Sequence, residues 1–266
     1  MITLSANLIA LLIYLVAAVY FGRQFIRQQA LQPRLLLKVT SLALIAHGIG
    51  IYGLSIKGEG FNLSLFSASS LIFWVINLTV LCSSLKKASH NLFLLLFPLS
   101  ALSVLATLMG HPQETQQALS FSIAIHIVLS LLAYSLMTIA SLQALLLAYQ
   151  NRSLKSKQLT TSSRLFPPLQ TMEALLFEFL WVGEVLLTLA IASGFYFLED
   201  MFAQHLAHKT IFALIAWFIY ALLLWGRYQL GWRGTKAIRW TLAGFVCLML
   251  AYFGSKLVLE VILNRV

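Results

Sequence analysis

The sequence is poor in charged residues, which dominate the surface of a soluble protein. Of its 266 residues only 10% are charged, whereas 60% are hydrophobic, and the mean hydropathy is +0.88. Soluble domains carry roughly 25% charged residues, so an ordinary cytosolic enzyme is excluded. The apolar residues fall into about eight runs of roughly 18 to 28 residues, each long enough to cross a hydrocarbon core of about 30 Å. We therefore predict an all-α membrane protein, a bundle of about eight transmembrane helices.

Cysteine and the common catalytic motifs are also scarce. Cys82 and Cys247 are the two cysteines, and no CxxC or CxxCH motif occurs, which argues against thiol-disulfide chemistry and covalent haem attachment. The H-E-x-x-H, P-loop and G-x-S-x-G motifs are missing, as is a GxGxxG between a strand and a helix. The standard hydrolase and nucleotide-binding classes are thereby disfavoured. We expect this chain to catalyse no reaction alone.

The apolar runs also predict the organisation of the bundle. The predicted spans are 4–22, 35–56, 63–82, 91–109, 120–148, 175–197, 209–226 and 237–258. Most connections are short, which favours antiparallel neighbours in one compact domain, 1–266. The longest interruption, about 150–174, is basic and contains Pro167 and Pro168, a pair that stops a helix. We interpret it as a cytoplasmic loop between helices 5 and 6.

Lys and Arg are distributed unevenly over the connecting segments. Fourteen of the 18 lie in alternate connections, namely Arg23, Arg27, Arg34, Lys38, Lys86, Lys87, Arg152, Lys155, Lys157, Arg164, Arg227, Arg233, Lys236 and Arg239. The opposite connections hold the other four, namely Lys57, Lys209, Lys256 and Arg265. Because cytoplasmic segments carry the excess of Lys and Arg, this pattern places both termini on the outer, periplasmic side. The net charge of +10 thus reflects the orientation of the chain in the membrane. We therefore expect no nucleic acid partner.

Few polar side chains occur at membrane depth, and such residues are the default place to look for function. His47 lies in the second predicted span and His126 in the fifth, at depths that are comparable if both are counted from the outer face. A buried imidazole acts as a haem or metal ligand, as a proton relay, or as a hydrogen-bonded packing residue. Glu184 in the sixth span needs a partner or water at its depth, so it indicates a proton or cation path as an alternative.

The connection before the seventh span is the richest in titratable groups. It reads FLEDMFAQHLAHK and includes Glu199, Asp200, His205 and His208. Its apolar spacing suits a short amphipathic helix at the interface. A solvated loop with an aromatic anchor is the other interpretation.

Six segments give the chain a family resemblance over nearly its whole length. They are AHGIGI around His47, FNLSLFSASSLIF from Phe61, HIVLSLLAYSLMTIASLQALLLA from His126, PPLQTME from Pro167, HKTIFALIAWFIYALLLWGRYQLGWRG from His208, and AYFGSKLVLE from Ala251. Together they resemble the cytochrome c assembly proteins of the CcsA/HemX type, and in particular the YpjD branch of bacterial inner-membrane proteins. The resemblance implies a multi-pass protein of the bacterial inner membrane.

The resemblance also implies a haem-handling role. Members of the CcsA type are understood to bring haem to the outer face and present it to apocytochrome c, with histidines as axial ligands at an intramembrane and an outer site. His47 resembles the intramembrane ligand, and His126 resembles an outer ligand. The partner histidines differ, since Trp225 and approximately Leu263 stand at their positions. The family's tryptophan-rich loop is reduced here to LAHKTIF, which keeps Lys209 and Thr210.

By this resemblance, the intramembrane site and the outer site each keep one of their two histidines. Several arrangements of haem ligands are compatible with that. His208 or His205 would complete a pair with His126, or His47 and His126 would hold one haem between them. We therefore predict a haem-binding membrane protein of cytochrome c biogenesis, with His47, His126 and His208 as candidate ligands. Its expected partners are the lipid bilayer and haem-delivery or cytochrome c maturation proteins. The alternative is an accessory or scaffold protein without haem, or a small-solute or ion transporter that uses Glu184 and His47.

Overall fold

The predicted helices are all present in the fold. The computed structural model describes residues 2–27, 29, 32–57, 60–62, 65–110, 116–117, 121–155, 166–197 and 207–254. In these ranges the chain forms eight α-helices, namely α1 (Ile2–Ile26), α2 (Pro33–Ser55), α3 (Leu65–Ser84), α4 (Phe93–Met109), α5 (Phe121–Lys155), α6 (Leu169–Phe197), α7 (Ala207–Leu230) and α8 (Gly234–Met249). A 3₁₀ helix (His90–Leu92) precedes α4, and a π-helical segment (Leu250–Gly254) follows α8.

Helix length and composition confirm a multi-pass membrane protein. Within the described ranges, seven helices are long and apolar enough to cross a membrane, which are α1 to α7. α8 is shorter, with 16 residues, but the π-helical segment continues it by 5 more. In lipid every backbone N–H and C=O must be paired internally, which is why such apolar runs fold as helices. The sidedness of the termini stays a prediction.

The chain forms two compact units, each described here by itself. The first unit comprises Met1–Ala118 and Tyr149–Thr171, and the second comprises Leu119–Ala148 and Met172–Val266. The assignment of 1–266 to one domain stays a prediction. Helix occupies both ends of the segment predicted as the long loop, because α5 continues to Lys155 and α6 begins at Leu169. Pro167 and Pro168 therefore directly precede a helix.

In the first unit α1 packs against α2 and α4, and α3 packs against the same two helices. One face of α1 is buried, with a spacing of three or four residues that suits a helix: Ala6, Ala10, Tyr14, Ala17 and Phe21. Small alanines on this face allow close approach of the neighbouring helices. The Phe21 ring stacks on Phe97 of α4 with centroids 5.8 Å apart, and Phe97 stacks on Phe93 at 5.5 Å.

Two connections of the first unit pair as a small antiparallel sheet. Its strands are β1 (Ile56–Lys57), β2 (Gly60–Asn62) and β3 (Gln116–Gln117), in the order β1-β2-β3. Ile56 pairs with Phe61, and Phe61 pairs with Gln117. The sheet thus joins the α2–α3 connection to the segment that precedes α5.

In the second unit α7 and α8 are joined by a tight turn. Gly231 and Gly234 adopt positive φ values of 63° and 54°, a conformation that glycine adopts without steric penalty. Trp232 N donates to the Gly226 carbonyl at 3.1 Å. A Cβ on Gly226 would meet the Trp232 ring at 2.5 Å, so the glycine makes room for the indole that closes the turn.

Glu173 connects the same turn to the start of α6. Its Oε1 accepts from Arg227 Nη1 at 2.6 Å and from Arg233 Nε at 3.2 Å. Its Oε2 accepts from the backbone N–H of Gly234, the first residue of α8, at 3.1 Å. A carboxylate at a helix N-terminus pairs with the free N–H groups and the positive end of the helix dipole. One side chain thereby links α6, α7 and α8.

We expect Glu173→Gln to lower the free energy of unfolding by roughly 1.5–3 kcal/mol, because hydrogen bonds to a charged group contribute about this much. The readout is the thermal unfolding midpoint in detergent, followed by circular dichroism. Arg239→Gln is the control, since Arg239 is an exposed charged residue of α8, the helix whose first N–H group Glu173 accepts from. Equal midpoints for the two variants would show that the Glu173 contacts contribute nothing measurable.

Candidate functional site

His47 occupies the interior of the first unit, where three helices meet. α2 carries the imidazole, which is fully buried. Its Nδ1 lies 3.2 Å from the Tyr14 hydroxyl of α1, and its Nε2 lies 2.8 Å from the Ser70 hydroxyl of α3. The Tyr14 ring meets the imidazole edge-on, with centroids 5.7 Å apart. The three side chains form one hydrogen-bonded chain across α1, α2 and α3.

Both ring nitrogens of His47 are therefore engaged. A neutral imidazole has one N–H donor and one acceptor nitrogen, and the two hydroxyls can each donate or accept. Either tautomer satisfies both contacts, which leaves no nitrogen lone pair for a metal ion in this arrangement. The predicted role of His47 as a haem ligand stays a prediction, and it requires one of these hydrogen bonds to break.

The groove next to this chain is lined without histidine, cysteine or methionine among the described residues. It has a volume of about 520 Å³ and lies between α2 and α3, and the described residues that line it are Ser41, Leu44, Ile45, Gly48, Ile49, Tyr52, Trp74, Leu78 and Leu81. Trp74 Nε1 donates to the Leu44 carbonyl at 2.9 Å. A Cβ on Gly48 would lie 3.1 Å from the same nitrogen. Small residues of α2 thus admit the indole, and the lining contains no histidine, cysteine or methionine.

His126 has a different environment in the second unit. It lies in the second turn of α5 and is half-buried. Its Nδ1 is 3.0 Å from the Ser193 hydroxyl of α6. That hydroxyl donates to the Ala190 carbonyl at 2.8 Å.

These contacts favour the tautomer of His126 that is protonated on Nδ1. A carbonyl oxygen can only accept, so in this arrangement Ser193 donates its hydrogen to Ala190 and offers its oxygen to Nδ1 as an acceptor. Nδ1 is therefore the N–H donor, and Nε2 carries the lone pair. Among the described residues nothing hydrogen-bonds to Nε2. Metal-bound histidines show this pattern, in which one nitrogen binds the metal while the other donates to an oxygen.

His208 lies at the same end of the second unit as His126. Gln143 of α5 donates to the Met172 carbonyl at 3.0 Å, while His126 contacts Ser193, so α5 and α6 are antiparallel. α7 runs antiparallel to α6 in turn, because Arg227 near its end contacts Glu173 near the start of α6. His208 is the second residue of α7, which places it at the end where α5 begins. Glu199, Asp200 and His205 lie outside the described residues.

The residues of the transport interpretation belong to different units, His47 to the first and Glu184 to the second. Glu184 is 7% exposed, which agrees with the expectation that it is buried at membrane depth. Trp225, at the position of the family's second intramembrane histidine, is 54% exposed. No group of three or more His, Cys, Asp or Glu side chains within the described ranges is placed to hold a metal ion.

Sequence reasoning did not identify the hydroxyl partners of the two histidines. Tyr14, Ser70 and Ser193 are common residue types in transmembrane helices, and their spacing in the chain relates them to no histidine. Ser70 belongs to a run of small residues (Ser67, Ala68, Ser69, Ser70) that is typical of close helix packing. Ala68 and Ser70 of this run are buried, and Ser70 also hydrogen-bonds His47.

A family profile and several known proteins match this chain. The sequence profile of the family described as "Cytochrome C assembly protein" matches residues 35–263. The chain is 31% identical to the inner membrane protein YpjD of Escherichia coli over 96% of its own length and 98% of that protein. It is 24% identical to the cytochrome c biogenesis protein CcsA of Guillardia theta, over 72% of this chain and 71% of that one. It is also 24% identical to the cytochrome c biogenesis protein CcsA of Chlamydomonas reinhardtii, over 86% of this chain and 66% of that protein.

No solved structure matches the chain. The inner-membrane name of the Escherichia coli relative and the seven membrane-length helices agree with the predicted multi-pass protein of the bacterial inner membrane. Profile and relatives together confirm the resemblance seen in the sequence. The chain therefore belongs to the cytochrome c assembly protein family.

Proposed function

We propose that this protein handles haem in cytochrome c biogenesis and that His126 would hold the haem iron. The observation that carries this proposal is that no described residue hydrogen-bonds to Nε2 of His126, while its Nδ1 lies 3.0 Å from the Ser193 hydroxyl. A histidine held in this way is oriented, and its ligating nitrogen is made more basic. Membership of the family and the relatives named CcsA support the choice of haem over another ligand.

The residues present would supply one iron ligand more readily than two. His126 is half-buried near the start of α5, and no described residue hydrogen-bonds to its Nε2. His208, at the start of α7, would supply the second ligand. When bound, the haem would supply the iron centre that is delivered or presented to a maturation partner. The chain's own residues bind and orient it, and we propose that they catalyse no reaction alone.

Haem-delivery or cytochrome c maturation proteins are the partners that this function requires. Detergent-purified protein from haem-replete cells tests the proposal through its absorption spectrum and a pyridine haemochrome assay. We expect a Soret band and a stoichiometric amount of haem. Folded protein that remains free of haem, even after titration with haemin, would contradict the proposal and favour the accessory interpretation.

Ser193 gives a finer test of the same site. We expect Ser193→Ala to weaken haem binding by about 10- to 100-fold, the usual effect of losing the hydrogen-bond partner of a metal-bound histidine. The measurement is a haemin titration that yields the dissociation constant. Ser193→Thr is the control because it keeps the hydroxyl. If both variants bind haem as the wild type does, the contact with Ser193 does not orient a ligand.

A further inference from the structure

The groove between α2 and α3 of the first unit presents an apolar surface to a ligand. Ser41 Oγ, in its lining, donates to the Leu37 carbonyl at 2.9 Å. Trp74 Nε1 donates to the Leu44 carbonyl at 2.9 Å, so neither polar group needs a partner from outside the protein. Ile45, which also lines the groove, is 62% exposed. A surface of this kind is favourable for a hydrocarbon chain.

The length of the groove suits the acyl chain of a lipid. From Ser41 to Tyr52 the lining follows α2 for about 17 Å, at 1.5 Å per residue. The acyl chains of one leaflet fill roughly half of a hydrocarbon core of about 30 Å. Ser41 and Gly48 form the depression, because both are small and lie about two helical turns apart on one face. A membrane-spanning helix of a partner would need a contact surface along the whole core.

Basic residues precede the groove on the same helix. Arg34 and Lys38 come before Ser41 in α2 at helical spacing, which places the three residues on one face. Both cations are exposed. α3 runs antiparallel to α2, and the exposed Lys86 follows its end. The groove therefore has cations at the end where α2 begins and α3 ends.

The first unit itself supplies no carboxylate to these cations. None of its described residues is Asp or Glu, since its two acidic residues, Glu59 and Glu114, lie outside the described ranges. The anion that a bilayer offers next to basic residues at a helix end is the phosphate of a lipid headgroup. Lys and Arg bind phosphate through charge-assisted hydrogen bonds. Apolar groove and basic end thus match the two parts of one anionic phospholipid.

We propose that the α2–α3 groove binds a phospholipid with an anionic headgroup. One acyl chain lies in the groove between Ser41 and Tyr52, and the headgroup phosphate contacts Arg34 and Lys38. A zwitterionic lipid fills the groove equally well, but its own cationic group offsets the charge that these two side chains recognise. The site contains none of the candidate haem ligands, so it does not depend on the proposed haem function.

Native mass spectrometry of the full-length protein tests the basic end of this site. Titrations with phosphatidylglycerol and with phosphatidylcholine of identical acyl chains give the two dissociation constants. Each Lys or Arg near the membrane surface strengthens binding of an anionic lipid roughly 5-fold, so we expect the wild type to prefer phosphatidylglycerol roughly 25-fold. The double variant Arg34→Gln/Lys38→Gln should lose most of this preference. Arg23→Gln/Arg27→Gln should keep it and is the matched control, since both residues are exposed cations at the end of α1.

A second pair of variants tests the groove. Ile45→Trp places a large side chain in it, and we expect the lipid-bound species to disappear from the mass spectrum. Leu42→Trp should retain that species. Leu42 is the matched control because it is 59% exposed on the same helix and does not line the groove.

Equal affinities of the wild type for the two lipids would overturn the proposal. The same loss of preference in both charge variants would also overturn it, because the cations would then act without a defined site. Lipid retained by Ile45→Trp would show that the acyl chain lies elsewhere, as it would if another protein covered the groove.

Tryptophan fluorescence gives a test that needs none of these variants. Bromine on an acyl chain quenches an indole that it contacts, and the sequence of the first unit contains no tryptophan other than Trp74. The emission of Trp74 is the difference between the wild type and Trp74→Phe. In nanodiscs we expect brominated phosphatidylglycerol to quench this emission more than the same fraction of brominated phosphatidylcholine. Equal quenching by the two lipids would contradict the preference for an anionic headgroup.

Discussion

Replacement of His126 by alanine is expected to abolish haem binding while the protein stays folded. The imidazole is half-buried near the start of α5, so its removal opens little interior space. The Ser193 hydroxyl loses one contact but keeps its bond to the Ala190 carbonyl. The iron, in contrast, loses the nitrogen that would ligate it, and a neighbouring serine is a poor substitute. The measurement is the loss of the Soret band and of haemochrome haem per protein.

His90→Ala is the matched control, because His90 is another partly buried histidine that lies in a 3₁₀ helix of the first unit. We expect this variant to retain its haem. Added imidazole should restore the spectrum of His126→Ala, since the small ligand can occupy the space that the side chain leaves. A full complement of haem in His126→Ala would show that the axial ligand lies elsewhere. His208→Ala would then test whether His208 is the second ligand of the iron. Loss of one of two histidine ligands should change the haem spectrum from low-spin to high-spin.

His47→Ala is expected to have its largest effect on stability. The substitution leaves a cavity between α1, α2 and α3 and removes the partner of both Tyr14 and Ser70. Truncation of a buried side chain and loss of hydrogen-bond partners together lower the free energy of unfolding by roughly 2–5 kcal/mol. Tyr14→Phe removes one hydrogen bond and keeps the ring, so we expect a smaller decrease of about 1 kcal/mol. Denaturant unfolding in detergent, followed by circular dichroism, compares the variants.

His47→Asn separates the packing role from the ligand role that the family resemblance implies. The amide can hydrogen-bond one of the two hydroxyls, so part of the stability should return. If His126 supplies the axial ligand, this variant keeps its haem. A folded His47→Asn protein without haem, at wild-type stability, would instead assign the ligand to His47. The hydrogen bond to Tyr14 or Ser70 would then have to open when haem binds.

Helix number, membrane location and family followed from the sequence because they depend on local properties. An apolar run in lipid has to satisfy its own backbone, and a helix does this within the run. The predicted helix boundaries were less accurate, again because hydropathy is a local property. Hydropathy indicates where the membrane core ends, but a helix continues until its terminal N–H and C=O groups are paired. Glu173 was therefore placed in the long loop, whereas it lies in the first turns of α6 and connects to the start of α8.

The sequence alone determined which residues are chemically capable, including His47, His126 and Glu184, because polar groups are conspicuous in apolar spans. Only the tertiary structure decided what each of them does. Both nitrogens of His47 are bound, one nitrogen of His126 is open, and Glu184 has no partner among the described residues. These differences arise from residues distant in the chain, as the pairs 47–70 and 126–193 illustrate. When a helix is apolar on all sides, its sequence does not indicate which face contacts the neighbouring helices. Packing against those neighbours therefore decides which side chains meet.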